Sequence, residues 1–372
     1  MKDQVSELVE LLKQKKERGL NDLLFFNKYI LETNPKRRDL IVPHVHGEWT
    51  NWYQNSTKRI KMILVPRGTF KSTFFTVGRT LQKIVANRNS RIMLANATVD
   101  NANRFLSEIK DQLTKNQNLI ELYGNFYNPR LRWNESQIDV DGRSLGIKEA
   151  TITTAGVGGN LVSTHFDTII ADDLVSLENS STRFQADKVI DWWKRAFSLL
   201  DPDGEMLIIG TRWSHYELYS YIIERMQNEV DIYIRGAYKP DGTLYFPELL
   251  SADKLKELKS IEGSYIFSSF YLNDPVDEDS SLIKRSQIKY YEEGQQPSNL
   301  VLFAMSDPAV SQEIKSDYSC ILLVGVDSMG NWWVRQTIRS KLSVGEFIGS
   351  LFEVYLENRP VSMTLEIIGQ AQ

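Results

Sequence analysis

Apolar positions change their spacing in a definite order along the chain. Val5, Leu8, Leu11 and Leu12 recur at helical spacing amid lysines and glutamates, which predicts an amphipathic helix over residues 3–18. Asn21-Asp22 can cap a second helix carrying Leu23, Leu24, Phe26, Tyr29 and Ile30. From Arg59 the rhythm alternates between apolar runs and helical patterns. Ile60–Val65 predicts a strand, Lys71 to about Ala86 a helix, Arg91–Leu94 a strand and Val99–Leu113 a helix. Short strands are expected at Ser136–Val140 and Ile147–Thr154. The glycine-bearing segment 155–160 lacks the strand-to-helix context of a dinucleotide fingerprint and is expected to be a flexible loop. An apolar strand from Phe166 to Asp172-Asp173, a helix over Thr182–Leu199 and a third core strand from Glu205 to Trp213 complete the pattern. Together they predict a wound α/β sheet.

Residues 274–300 change in character, with Asp-Pro, Asp-Glu-Asp-Ser-Ser and Gly-Gln-Gln-Pro-Ser, so a domain boundary is expected there. Beyond it, Leu300–Met305, Cys320–Val326 and Trp332–Ile338 predict three sequential antiparallel strands, with turns at Asp317 and 328–331. A helix over Val344–Glu357 and a strand over Val361–Glu366 follow. The resulting division is 1–55 helical, 56–273 core, 274–299 linker and 300–372 second domain.

Bulk properties narrow this picture only a little. At 372 residues and 42% hydrophobic, the chain can bury two cores. No run is apolar for the roughly 18 residues a membrane helix needs, and the N-terminus lacks a signal-peptide core, so neither a span nor secretion is expected. The single cysteine, Cys320, falls in an apolar run and reads as a buried small hydrophobe in a reducing compartment. A net charge of −4 gives no global pull on nucleic acid, so any DNA contact must be local. The Lys36-Arg37-Arg38 cluster reads as solvated surface.

Candidate chemistry concentrates where the first core strand ends. Val65-Pro66-Arg67-Gly68-Thr69-Phe70-Lys71-Ser72-Thr73 carries an apolar strand through a glycine turn into a helix start. That is the layout of a phosphate-binding loop, although the usual pattern has glycines where this chain has Val65 and Phe70. In such a loop, backbone N–H groups hold the anion, the lysine reaches the β/γ-phosphates and a hydroxyl, here Ser72, ligates Mg²⁺. The strand ending in Asp172 and Asp173 supplies the two carboxylates an ATPase needs, one for Mg²⁺ and one for the attacking water. Pro43 to Trp49 holds His44, His46 and Glu48 without a further metal-ligand set, which leaves packing or adenine stacking.

By this point the chain resembles the large terminase subunit of tailed bacteriophages, the ATPase-nuclease that packages viral DNA into procapsids. The resemblance rests on the loop above, on Ile169-Ile170-Ala171-Asp172-Asp173 and on Ile209-Gly210-Thr211-Arg212-Trp213. It continues through Tyr245-Phe-Pro-Glu248, Gly263, Phe270 to Pro275, Ser306-Asp307-Pro308 and Asp317. It implies an α/β architecture in which a P-loop (RecA/ASCE-like) ATPase domain with a small helical lid is linked to an RNase-H-like nuclease domain. It implies that Arg67, Gly68, Thr69, Phe70, Lys71, Ser72, Thr73, Asp172 and Thr211 bind ATP and Mg²⁺, with Asp173 the catalytic carboxylate and Gly210-Thr211 the γ-phosphate sensor. It also implies that Asp307 and Glu366, with Asp317 as accessory acid, hold Mn²⁺ or Mg²⁺ for endonuclease cleavage. The partners it implies are double-stranded DNA, a small terminase subunit and the portal. The chain would be a monomer in solution and a ring, a pentamer, on the portal, acting in the host cytoplasm outside the finished virion.

Three departures from the family bear on the chemistry. Asp173 stands where many relatives have Glu. An arginine common before the acid strand is His165 here, leaving Arg130, Arg132 and Arg183 as arginine-finger candidates. The sequence ends at Gln372, before the helix from which the family draws its third metal acid, so a truncated nuclease domain is expected. A helicase-like or repair ATPase of superfamily 2, with a non-catalytic C-terminal docking module, is the alternative; it should carry a second RecA-like domain after residue 275.

Overall fold

The computed structural model describes residues 2–31, 38–159, 161, 164–275, 289–292, 294–309 and 318–366. The chain forms two compact units, Met1–Leu282 and Ile283–Gln372. The first is built on seven strands: β1 Ile60–Leu64, β2 Ile92–Asn96, β3 Gln137–Ile138, β4 Ile152–Gly156, β5 Phe166–Asp172, β6 Leu200–Gly210 and β7 Val230–Ile234. Their order across the sheet is β3-β4-β2-β5-β6-β1-β7, all parallel except β3.

Parallel strands covered on both faces must be largely apolar on both, and these are. Ile63, Ile92, Leu94, Ile170, Leu207 and Ile209 share one core with Phe74, Phe75 and Leu81 and with Leu106, Ile109 and Leu113 of the helix Val99–Lys115. Alternate positions Met62, Leu64, Met93, Ile169, Met206 and Ile208 face Val189, Trp192 and Trp193 of the helix Arg183–Phe197 on the other side. Leu23, Phe26, Ile30, Val45, Trp49 and Tyr53 belong to the first of these cores. The N-terminal helices therefore have no hydrophobic cluster of their own among the described residues. A small third cluster joins Ala237, Leu250, Leu255, Phe267, Phe270 and Tyr271.

The second unit holds β8 Val301–Asp307, β9 Ser319–Val326, β10 Trp332–Ser340, a helix Val344–Asn358 and β11 Ser362–Leu365. The sheet order is β10-β9-β8-β11: the first three strands are antiparallel neighbours, and β11 returns parallel to β8 after the helix. Ser343 and Glu346 close a capping box at that helix start. Ala304, Ile321, Leu323, Phe347 and Val354 form its modest core.

Two local expectations are corrected. Cys320 is half-buried rather than buried, because alternate β9 residues face the core and Cys320 falls on the other side. Gly156 is not in a loop but ends β4, where a Cβ would lie 2.6 Å from the Val99 backbone nitrogen; only glycine lets the helix Val99–Lys115 begin so close. The turn expected at Asp317, Lys36 and Arg37 of the basic cluster, and most of 274–299 lie outside the described residues, while Arg38 is exposed. No described helix is long and apolar enough to cross a membrane.

Candidate functional site

Because six strands run parallel, their C-terminal ends share one edge of the sheet, the usual place for a ligand in such folds. Pro66 ends the ladder of β1 and the chain turns through Arg67 to Phe70. Gly68 takes φ +81° with no atom within 4 Å of where a Cβ would be, leaving the loop open on that side. Phe70 occupies the position where a glycine is usual and adopts the glycine-like conformation itself, at φ 65°. A non-glycine residue there costs on the order of 1–3 kcal/mol, the kind of strain that clusters at ligand sites. Thr69 is fully buried and its hydroxyl donates to the Pro66 carbonyl at 2.7 Å. Phe74 N–H bonds back to the Phe70 carbonyl at 2.8 Å, and the chain continues as a π-helical stretch Ser72–Arg79 and the α-helix Thr80–Ala86.

This turn aims Lys71 across the strand ends. Its Nζ is buried, 3.1 Å from Thr211 Oγ1 and 3.8 Å from Asp173 Oδ1. Thr211 is buried just beyond β6. Gly210 before it must be glycine, since a Cβ would lie 2.4 Å from the Tyr219 ring. Asp173 is held at φ 45° by two backbone bonds, its N–H to Ile209 and its carbonyl from Ala97. Ala97 follows β2, so β2, β5 and β6 jointly fix this acid.

Asp172 is buried and accepts from Thr76 Oγ1 at 2.7 Å, while its other oxygen has no hydrogen-bond partner. Burial, and then the Asp173 charge, push its carboxyl up to about 7, against the pull of the Thr76 hydroxyl, Lys71 and the Ser72 hydroxyl. Asp173 Oδ1 is likewise buried without a hydrogen bond. The unpartnered Asp172 oxygen and the Ser72 hydroxyl are oxygen ligands of the kind Mg²⁺ takes, while Asp173 Oδ1, 3.8 Å from the Lys71 ammonium, is left open beside them. The adjoining cavity, about 360 Å³, is lined by Arg67, Asn96, Arg104, Asp173, Thr211 and Phe270 among others. Arg67 donates its N–H to the Phe270 carbonyl at 3.0 Å and rests its guanidinium 4.9 Å from that ring's centre.

The structure thus brings Arg67 to Thr73, Asp172, Asp173 and Thr211 together on one edge. It adds residues the sequence did not single out. Thr76 lies one helical turn past Ser72, a spacing that could have marked it. Asn96 ends β2 and donates to the Asp172 carbonyl at 2.7 Å; a polar residue closing an apolar strand was the available signal. Of the arginine-finger candidates, Arg132 pairs with Asp139 at 3.3 Å, and Arg130 and Arg183 are exposed. His44 lies 3.3 Å from Glu248, while His46 is buried among aromatic rings, the packing alternative.

In the second unit, Asp307 ends β8 and Glu366 follows β11. Leu365 is level with Ser306, and Glu366 N–H bonds to the Ser306 carbonyl at 2.9 Å, so the two acids stand on adjacent parallel strand ends. Both are exposed. Asp317 lies outside the described residues, and among the described residues no three acids, histidines or cysteines group as a metal site.

No family model matches the chain, and no curated protein matches it. Solved structures similar to it include the following three. One is the large terminase of a thermophilic bacteriophage in complex with ADP, at 10% identity and TM-score 0.39, covering 85% of this chain and 75% of that one. A second is the large terminase ATPase domain of Thermus phage P74-26, at 14% identity and TM-score 0.43, covering 66% of this chain and 100% of that one. The Phi-28 gp11 DNA packaging motor is similar at 11% identity and TM-score 0.36, covering 87% of this chain and 84% of that one.

Proposed function

We propose that the chain is the ATP-hydrolysing subunit of a viral DNA-packaging motor. The observation that carries the enzymatic part is the convergence of β1, β6 and β5 on one ammonium group: Lys71 Nζ lies 3.1 Å from Thr211 and 3.8 Å from Asp173. Lys71 binds the β/γ-phosphates, and the backbone of Arg67 to Thr73 cradles them. Ser72 and Asp172 hold Mg²⁺, which when bound neutralises charge developing on the phosphates. Asp173 Oδ1, free of hydrogen bonds, orients the attacking water and accepts its proton. Thr211, bonded to Lys71, registers the loss of the terminal phosphate; its neighbour Arg212 passes this on through an N–H bond to Asn273 at 3.2 Å.

The packaging role rests on the collinear motifs, with double-stranded DNA, a small terminase subunit, the portal and a five-membered ring as its partners. The second unit is proposed as an RNase-H-like metal-dependent nuclease centred on Asp307 and Glu366, with Asp317 as accessory ligand. The mixed sheet β10-β9-β8-β11, with its acids on adjacent ends of β8 and β11, supports this assignment. Asp307 and Glu366 alone hold a pair of cations weakly, so plasmid cleavage by this chain with Mn²⁺ should be poor, and robust Asp307-dependent cleavage would mean that Asp317 completes the site. The superfamily-2 alternative is disfavoured by the same sheet: a second RecA-like domain would be mainly parallel, and β8, β9 and β10 are antiparallel. The test is ATP turnover measured alone, with DNA, and with DNA and procapsids. Stepwise stimulation is expected, and turnover indifferent to both would remove the motor assignment.

A further inference from the structure

His46 is completely buried, wedged against the rings of Trp49, Phe74 and Phe246 at centroid distances of 4.6, 5.3 and 5.7 Å. An imidazole shut away from water needs partners for both ring nitrogens. Nδ1 lies 3.1 Å from the Val42 backbone nitrogen. An amide N–H can only donate, so Nδ1 is the acceptor and the proton of the neutral ring sits on Nε2. Burial pushes the imidazole down to about 4, which keeps it in that form at neutral pH. Nε2–H is then directed at the carbonyl of Thr69, 3.4 Å away, inside the phosphate loop. That separation is at the long end for such a bond, leaving room for it to tighten when the loop is loaded.

The direction of this bond has a consequence for the loop. A trans peptide is planar, with its C=O and N–H pointing opposite ways. The Thr69 carbonyl turned to His46 therefore turns the Phe70 N–H the opposite way, away from the buried ring. Phe70 holds its left-handed conformation at the same junction, so the orientation of this peptide is not set by a glycine's free choice.

We infer that His46 is a positioning residue of the nucleotide site: its Nε2–H holds the Thr69–Phe70 peptide so that the Phe70 N–H faces a phosphate of the bound nucleotide. This rests on the ATPase reading above, and the two can fail separately. A packing role alone would need the ring's shape but not the proton on Nε2.

Two substitutions separate those roles. His46→Asn keeps an acceptor near the Nδ1 position for Val42 but reaches nothing at Thr69. His46→Gln carries an amide N–H out to the Nε2 position. With Mg²⁺-ATPγS as probe, Asn should weaken binding roughly tenfold, the scale of one lost hydrogen bond, and Gln should restore it to within about threefold. Thermal unfolding should fall alike in both. Equal affinity in the two variants, whether weakened or unchanged, would overturn the inference. A measurement that needs no variant is the amide resonance of Phe70 in the unmutated chain, which should move downfield on adding ATPγS. A resonance that stays put while the nucleotide binds would also overturn it. If the unmutated chain binds no nucleotide, the ATPase reading fails instead.

Discussion

Asp172, buried, and Glu205, partly buried, are acids on neighbouring strands of one sheet, and they are treated in opposite ways. Asp172 stands level with Ile209 of β6, whereas Glu205 stands level with Thr168 of β5, toward the other edge. Glu205 accepts from Tyr53 Oη at 2.7 Å and Lys83 at 2.7 Å, with Arg79 at 3.5 Å and Lys61 at 3.6 Å. Burial pushes its carboxyl up, but the Lys83 and Arg79 charges, with the hydrogen bonds from Lys83 and Tyr53, outweigh this and hold it down at about 2. Asp172 has one hydroxyl donor and one oxygen with none, and burial beside Asp173 pushes it the other way. A buried charge that is fully partnered ties elements together. One left short of partners costs stability that only a ligand returns.

The largest expected effect would come from breaking the satisfied acid. Glu205→Gln leaves Arg79, Lys83 and Lys61 facing one another without a counter-charge, and should cost about 3–5 kcal/mol in urea unfolding. Because the folded value lies below the ordinary 4.5, this stabilisation is complete above about 4.5 and disappears as pH falls toward 2. A loss below about 1 kcal/mol, the ceiling for solvated pairs, would mean the cluster is open to water and the contrast with Asp172 is false.

Lys71→Ala attacks the other acid's neighbourhood and should lower ATP turnover by roughly two to three orders of magnitude with the circular dichroism unchanged. Turnover near that of the unmutated chain would remove the loop assignment. Asp173→Asn should lower turnover by roughly two orders while nucleotide affinity stays within a few fold, as for the loss of a general base. If affinity collapses and turnover at saturation survives, Asp172 and Asp173 have exchanged roles.

The smallest effect on stability would be the most discriminating. Asp172 has a folded value above its ordinary 3.8, so it costs stability that grows as pH rises from about 4 to 7 and stays constant beyond. Asp172→Asn should therefore stabilise the nucleotide-free chain at pH 8, by about 1 kcal/mol, and leave it unchanged near pH 4 while abolishing turnover. Destabilisation at pH 8 would place Asp172 with Glu205 as a structural acid.

What the sequence alone determined follows from local rules. Nearly continuous apolar runs in β1, β2 and β5, each followed by a helical pattern, made a parallel sheet legible because strands buried on both faces can carry few polar residues. The turn chemistry of Pro66 and Gly68 and the strand-end position of Asp172 and Asp173 made the site's main residues legible for the same reason: strand ends in a parallel sheet share an edge. Strand order was decided only in three dimensions. Nothing local says that β6 lies between β1 and β5, yet that placement is what brings Thr211 to Lys71 beside the acids. The same holds for Glu205, whose partners come from positions 53, 61, 79 and 83 and meet only when the helix Glu48–Asn55 packs on the sheet. His46 and Phe70 show the limit most directly. A histidine among aromatics and a misplaced phenylalanine look like packing and an imperfect motif; the local Val42 N–H sets the tautomer, but only the tertiary fold brings Nε2 to the Thr69 carbonyl beside a phenylalanine in a glycine's conformation.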